Sequence, residues 1–324
     1  MRIHLTGATG YIGGALARRL VGSGHEVRAT VRPASDAGKL QAAGIATFPG
    51  DITDRPSMRE AMSGADWVIH CAAELDFDAP LERMREVNVQ GSDNVASLAF
   101  KLGVGRVLAL SSMAAFGGSK EGALPATEDS PPLLPFPSRY SATKAGGEAA
   151  VREWEKRGLR LNVVYPSLVY GPPGKKSGSN ALLRALLKGR IPALVAARRP
   201  TSWIYLEDLV EGMVRMMERA QPGRHYLMTG DVASVRQVAE KVCALGGVRP
   251  PGLTLPTGVA RLAANLLGPV YSARGRRPPF SIEQINSLTR DWAFDDTRAR
   301  TELDWRPRTL DEGLPPTVEH LLAG

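Results

Sequence analysis

Residues 6–13 read Thr-Gly-Ala-Thr-Gly-Tyr-Ile-Gly, closing an apolar run at 2–6 and opening a segment of helical period. Glycines at 7, 10 and 13 permit a tight strand-to-helix turn. They let backbone N–H groups approach an anion and let the helix pack closely on the strand. A glycine triplet alone can be an ordinary turn. Its place at the first junction of a βαβ pattern points to a dinucleotide pyrophosphate at the helix N-terminus.

The first half of the chain alternates short apolar or β-branched runs, at 2–6, 26–31, 45–48, 66–70, 106–110 and 160–165, with helical segments at 11–21, 56–62, 81–102 and 138–156. Six strands with intervening helices predict an α/β fold, a doubly wound Rossmann-type parallel sheet. Beyond Tyr165 the alternation breaks, and residues 171–178 are rich in Pro, Gly, Lys and Ser. Helices are predicted near 180–188, 206–219, 235–245, 258–267 and 297–303, with short strands around Trp203 and Tyr226. The expected division is a dinucleotide-binding domain at 1–170 and a smaller, mostly helical substrate lobe at 171–324, some of whose segments return to the sheet.

At 43% hydrophobic and 23% charged over 324 residues, the chain can bury a proper core. Its two cysteines, Cys71 and Cys243, lack metal-ligand spacing and read as packed thiols in a reducing compartment. Arg18 and Arg19 interrupt any secretory signal, and no run reaches the roughly 18 apolar residues of a membrane span. A soluble, cytoplasmic protein is expected. The net charge of +8 is spread over helices without the aromatic interleaving of a nucleic-acid surface, so no nucleic-acid partner is expected.

The GxxGxxG spacing, distinct from GxGxxG, resembles that of the extended short-chain dehydrogenase/reductase family, and the resemblance runs through nearly the whole chain. It implies cofactor contacts from Gly7, Thr9, Gly10, Tyr11, Ile12 and Gly13. The second strand ends in Val27-Arg28-Ala29-Thr30-Val31-Arg32-Pro33, similar to dihydroflavonol-reductase-type members, which use NADPH. A carboxylate there would favour NAD, whereas an arginine neutralises a 2′-phosphate. Arg32, with Lys39 seven residues on, therefore predicts NADP(H), and NAD(H) is the alternative. Asp36 lies several residues past the strand.

Asp51-Ile52-Thr53-Asp54 resembles the family's adenine element, in which Asp51 would accept from the adenine amino group and Ile52 would pack on the ring. Asp54 reads as a helix cap. His70-Cys71-Ala72-Ala73 is similar to the HxAA segment, with Ala72 and Ala73 beneath the cofactor and His70 a packed structural histidine. The resemblance further implies cofactor contacts from Pro166 and Val169, while Asn88, in an NxxG element, would contact the cofactor and help to order the site.

Tyr140 and Lys144, four apart on a predicted helix, share one face. A phenol near pKa 10 is a poor acid or base at neutral pH, and an adjacent ammonium would stabilise its phenolate. Ser111-Ser112 ends the fifth strand, where ligands sit in α/β sheets. The family's Ser/Thr matches Ser112. The resemblance implies hydride transfer in which Tyr140 donates the proton, Lys144 also binds the nicotinamide ribose, and Ser112 holds the substrate oxygen.

Residues 163–172 read Val-Val-Tyr-Pro-Ser-Leu-Val-Tyr-Gly-Pro, close to the family's RPxxVYGP element, with Leu168 where nucleotide-sugar epimerases tend to carry Asn. Met113, Ala114 and Ala115 stand where sugar dehydratases carry an acidic pair, so elimination has no acid or base. The predicted pocket lining, residues 113–116, Phe136, 168–172 and 182–203, is mainly apolar. It suits a hydrophobic ketone or aldehyde, reduced to the alcohol or formed from it, better than a sugar diphosphate. Arg198 and Arg199 keep a nucleotide-sugar epimerase as the alternative. A cofactor-sensing regulator would be expected to lack the Ser, Tyr or Lys, and all three are present. The elements 205–209, 294–300 and 303–305 read as structural. The segment 259–270, followed by Arg274, Arg276 and Arg277, reads as a lid helix, with an amphipathic membrane anchor through Arg261 as the alternative. No membrane partner and no metal are expected, and the resemblance suggests a homodimer through the helices at 81–102 and 138–156.

Overall fold

The computed structural model describes residues 1–174, 178–273 and 281–323, so Arg274, Arg276 and Arg277 lie outside the described residues. The strands are β1 (Arg2–Thr6), β2 (Glu26–Val31), β3 (Ala46–Pro49), β4 (Trp67–His70), β5 (Arg106–Leu110), β6 (Leu161–Pro166), β7 (Leu168–Tyr170), β8 (Ala193–Val195), β9 (Pro200–Tyr205), β10 (His225–Met228), β11 (Asp231–Ser234) and β12 (Leu253–Leu255). Seven of them form one sheet in the order β10-β6-β5-β4-β1-β2-β3. Each neighbouring pair is parallel. Both β4 and β6 are buried along their whole length, the pattern expected of a sheet covered on both faces. Two small sheets, β11-β9-β7 and β12-β8, lie beyond.

The six strands read in the first half are joined by a seventh from the second half, in keeping with the expectation that some of its segments return to the sheet. The short strand around Tyr226 joins the central sheet, with His225 opposite Val163 and Met228 opposite Pro166. Its placement depends on a side chain elsewhere. Buried Asn162 donates from Nδ2 to the carbonyls of Gln221 at 2.7 Å and Arg224 at 2.9 Å, holding the turn before β10 against β6. The helix Leu206–Arg219 also packs its apolar face into the core shared with the helix Tyr11–Gly22.

The predicted helix at 81–102 is three pieces: Leu81–Arg85, a π-helical turn Glu86–Gln90, and Gly91–Lys101. The turn runs against the helix Arg139–Lys156 so closely that a Cβ on Gly147 would sit 2.0 Å from the Asn88 carbonyl oxygen. The segment 56–62 splits into a 3₁₀ turn, Arg55–Met58, and a short helix, Arg59–Met62. Helices Ile282–Leu288 and Leu310–Leu322 are additional. The second is masked in the sequence by Pro315 and Pro316, which lie inside it. The helix Thr257–Ala273 packs Ala260 beside Val195 and Ile285 and exposes Val259, Leu262 and Leu266. Among the described residues no helix is long and apolar enough to cross a membrane.

Replacing Gly147 by alanine places a methyl group against backbone that has no room to move. Overpacking of this kind costs about 1–3 kcal/mol, so Gly147→Ala is expected to lower the denaturant midpoint correspondingly in equilibrium unfolding. A second expectation concerns acid. Burial in β1 and β4 holds His4 and His70 neutral, each pushed down to about 3. In the unfolded chain both titrate near the ordinary 6.5, so between the two values the unfolded state binds more protons. Stability is therefore intact above pH 6.5 and falls as the pH drops toward 3, with a limit near 1.4 kcal/mol per histidine per pH unit. Denaturant midpoints measured between about pH 6 and 4 should show this slope, and His70→Asn should make it shallower.

Candidate active site

The carboxyl ends of β1, β4, β5 and β6 lie along one edge, with Thr6 opposite His70 and Leu110 opposite Val164. Chain reversals at this edge bring the glycine loop, residues 71–77, Ser112 and the helix Arg139–Lys156 together. Gly7 has φ +73°, and a Cβ there would meet the Ala72 nitrogen at 2.6 Å. A Cβ on Gly13 would meet the Gly7 carbonyl oxygen at 2.3 Å. The helix Tyr11–Gly22 begins at Gly10 without any side-chain cap, so its first N–H groups are presented to an anion. This cradle fits a dinucleotide pyrophosphate.

Tyr11 is half-buried. Its hydroxyl donates to the Gly171 carbonyl and accepts from Asn180 Nδ2 at 3.2 Å, which fastens the glycine loop to the segment entering the second lobe. Thr9 is exposed beside the turn, and Ile12 is partly buried against the core. Arg32 and Lys39 are exposed past the end of β2. Asp36, also exposed, accepts from the Gly38 N–H at 2.9 Å. At the end of β3, Asp51 Oδ1 accepts from the backbone N–H and the hydroxyl of Thr53, both at 2.9 Å, and Ile52 is buried beneath the helix Gly91–Lys101. Asn94, which carried no signal in the sequence, holds the Ile52 carbonyl at 2.9 Å.

Ala72 and Ala73 are partly exposed along the floor, whereas Pro166 and Val169 are buried. The amide of Asn88 is engaged on every side: Oδ1 accepts from the Glu74 N–H at 2.7 Å, and Nδ2 donates to the Glu74 carbonyl and to Thr143 Oγ1, each at 3.1 Å. Asn88 thus ties the loop after β4 to the helix Arg139–Lys156. His70 lies between Thr6 Oγ1 at 2.7 Å and Ser92 Oγ at 3.0 Å, in keeping with a structural histidine.

The sequence brings Ser112, Tyr140 and Lys144 together through the end of β5 and the start of the helix Arg139–Lys156, which Ser138 caps by accepting from the Ser141 N–H. Ser112 Oγ accepts from the Ala114 N–H at 3.1 Å, leaving its hydrogen to donate elsewhere. Burial pushes the Tyr140 phenol up to about 12, and the nearby Ser112 hydroxyl opposes that rise. On the same helix face as Tyr140, Lys144 Nζ donates one of its hydrogens to the Leu110 carbonyl at 2.9 Å. Phe77, which carries no signal in the sequence, places its ring 5.1 Å from the Tyr140 ring, centre to centre.

Residues 3–228 match the model of the NAD dependent epimerase/dehydratase family. The chain belongs to that family. It is an oxidoreductase-type enzyme of a family that uses nicotinamide cofactors. Over 98% of its length the enzyme is 30% identical to the sterol demethylase protein B of Methylococcus capsulatus, 97% of which is covered. It is 29% identical to a 4-hydroxy-2-methyl-3-oxo-4-farnesyl-3,4-dihydroquinoline-1-oxide ketoreductase of Stigmatella aurantiaca, over 97% of this chain and 95% of that one. The structure of UDP-glucose 4-epimerase from Thermotoga maritima with UDP-glucose has the same fold, at TM-score 0.80 and 21% identity, over 100% of this chain and 99% of that one.

Several residues expected to line the enzyme's substrate pocket are instead core. Phe116 packs on Tyr165 and Phe294 at 5.0 and 5.4 Å, and Tyr170 and Trp203 are fully buried. Large aromatics here fill two separate cores, Phe116, Tyr165 and Phe294 in one and Tyr170 and Trp203 in the other, and the apolar pattern alone cannot separate that use from a pocket wall. Arg199 is spoken for by Asp291 at 2.9 Å and Glu121 at 3.2 Å. The elements read as structural are so: Asp208 accepts from the Arg308 N–H at 2.8 Å, and Asp296 from the Gly230 N–H at 2.9 Å. Cys243 is buried, and the half-buried Cys71 thiol is pushed up to about 12 by burial, which leaves both inert.

The glycine cradle yields a direct expectation. Gly7→Ala forces alanine into a left-handed conformation costing about 1–2 kcal/mol and drives its methyl into the Ala72 backbone. Nicotinamide fluorescence titration should show binding of the reduced dinucleotide weakened by roughly tenfold or more.

Proposed function

We propose that the enzyme reduces a hydrophobic ketone or aldehyde to the alcohol, or runs the reverse, using NADP(H), with Tyr140 as the general acid and base. The observation that carries this reading is the grouping of a Ser112 hydroxyl with its hydrogen to spare, a buried Tyr140 phenol and the Lys144 amine at one sheet edge beside the glycine cradle. A bound nicotinamide supplies or accepts the hydride. Ser112 donates to the substrate oxygen. Tyr140, fully protonated at neutral pH, gives its proton to that oxygen as negative charge develops there. Lys144 binds the ribose hydroxyls and, as an ammonium, stabilises the phenolate left behind.

For the cofactor, Arg32 and Lys39, exposed past the end of β2, supply charge for a 2′-phosphate. For the substrate, the two relatives named above act, by their names, on sterol and farnesylated quinoline compounds, which supports a large apolar carbonyl substrate. Leu168 in place of an asparagine, and the ion pairs that occupy Arg199, weigh against a sugar diphosphate. Pairing as a homodimer would use the face carrying Phe100, Trp154 and Arg157, where the Phe100 and Trp154 rings lie 5.5 Å apart and Arg157 stacks over Trp154 at 4.6 Å.

The test is a panel of hydrophobic ketones and aldehydes with NADPH and NADH in parallel, beside UDP- and dTDP-sugars, followed by nicotinamide absorbance and product chromatography. Carbonyl reduction with NADPH is expected, and conversion of the sugars alone would overturn the reading. Tyr140→Phe should lower kcat by on the order of 10²–10⁴ while cofactor binding persists. Arg32→Ala should weaken NADPH by roughly tenfold and leave NADH nearly unchanged, in fluorescence titrations run side by side.

A further inference from the structure

Beneath Lys144 lies a polar cluster that the proposed chemistry does not use. Glu148 follows Lys144 by four residues on the same helix face, and Arg152 follows Glu148 by four. The Glu148 side chain is only 14% exposed. Its Oε2 accepts from Ser111 Oγ at 3.0 Å, and its Oε1 accepts from the Tyr165 hydroxyl at 2.6 Å and from Arg152 Nε at 2.8 Å. These donors come from the end of β5, from β6 and from the helix itself, so the carboxylate is held from three sides. A cavity of about 20 Å³, lined by Lys144, Glu148, Ser111, Asn88, Ser92 and His70 among others, lies here, with room for roughly one water.

We infer that Glu148 is a positioning residue whose buried carboxylate, lining the same small cavity as Lys144, keeps that side chain an ammonium. The inference rests on the reading of Lys144 given under the proposed function. Burial opposes the charge on Lys144 and pulls its amine down to about 8, and Glu148 is the leading influence in the other direction. The other groups facing Lys144 do not supply an anion near neutral pH. At the end of β4, His70 is held neutral and Cys71 stays a thiol. On β6, burial and Glu148 push Tyr165 well above the ordinary phenol range. On β10, His225, which shares a hydrogen bond with Arg152 at 2.6 Å, is pushed down to about 4 and is neutral. Glu155 sits farther out, 3.8 Å from Arg152. Of the residues lining the cavity, Glu148 is the one carboxylate, one helical turn from Lys144. Tyr140, raised by its own burial, needs a cation beside it to release a proton, and Lys144 serves only while it remains protonated.

The test titrates Lys144 directly, without turnover. In protein labelled with ¹³C-lysine, the Lys144 ε-carbon signal, assigned by its loss in Lys144→Met, should titrate near 8. In Glu148→Gln the midpoint should fall by roughly one pH unit or more, and in Arg152→Met, where the counter-cation is gone, it should rise. The alkaline limb of kcat/KM should move with each midpoint, which loss of packing alone would not produce. An unchanged midpoint in Glu148→Gln overturns the inference. Should that variant fail to fold, an unchanged or lowered midpoint in Arg152→Met does so instead. Shifted midpoints in a protein that reduces no carbonyl leave the Glu148–Lys144 pairing standing and overturn the reductase reading.

Discussion

Gly147 has no side chain, and the helix Arg139–Lys156 can therefore lie with its backbone against the π-turn that carries Asn88. Much of the site follows from that contact. It sets the depth of the helix relative to the sheet, and hence where Tyr140, Lys144 and Glu148 stand above the ends of β4 and β5. It also leaves Asn88 able to reach both Thr143 and the loop at Glu74, which carries on to Phe77 over the tyrosine ring. Gly7 plays the matching part at the other wall, where only a residue without a Cβ can approach Ala72. The active edge is assembled from backbone surfaces in direct contact, and its side chains are arranged on that frame.

Local signals carried much of the fold because the sheet's strands are continuous apolar runs and its first turn must be glycine-rich. The Tyr140–Lys144 pair and Ser112 were legible for a similar reason, since helical spacing and a strand end are local facts. What escaped the sequence was set by distant partners. β10 is four residues whose pairing depends on Asn162 holding a turn some sixty positions away. The helix Leu310–Leu322 tolerates two internal prolines because its buried residues pack against the second lobe. The π-turn compensates for a close approach that no single-segment pattern encodes. Phe77 sits in a loop of mixed character and had no periodicity to betray it. Glu148 did have a signal, its place one turn beyond Lys144, but its meaning depends on Ser111 and Tyr165 converging from two strands.

The buried titratable groups around the site share an electrical logic. His70, Cys71 and Tyr165 are all held uncharged by burial, so the low-dielectric floor beneath the reacting groups contains few formal charges. A charge that does remain there is felt strongly, because little water screens it. This is why a single carboxylate one helical turn away can govern the state of an amine, and why the hydroxyl of Ser112 registers on the Tyr140 phenol.

The clasp formed by Tyr11, Gly171 and Asn180 joins two segments that differ in purpose, the glycine turn at the cofactor end and the strand exit that leads into the second lobe. Because one hydroxyl belongs to both, neither segment can shift without disturbing the other. Thermodynamic reciprocity then applies: whatever a ligand on one side does to the affinity of the other side, the second ligand returns in equal measure. The clasp adds a direct tie between the cofactor end and the second lobe to the packing of the helix Leu206–Arg219 on the helix Tyr11–Gly22.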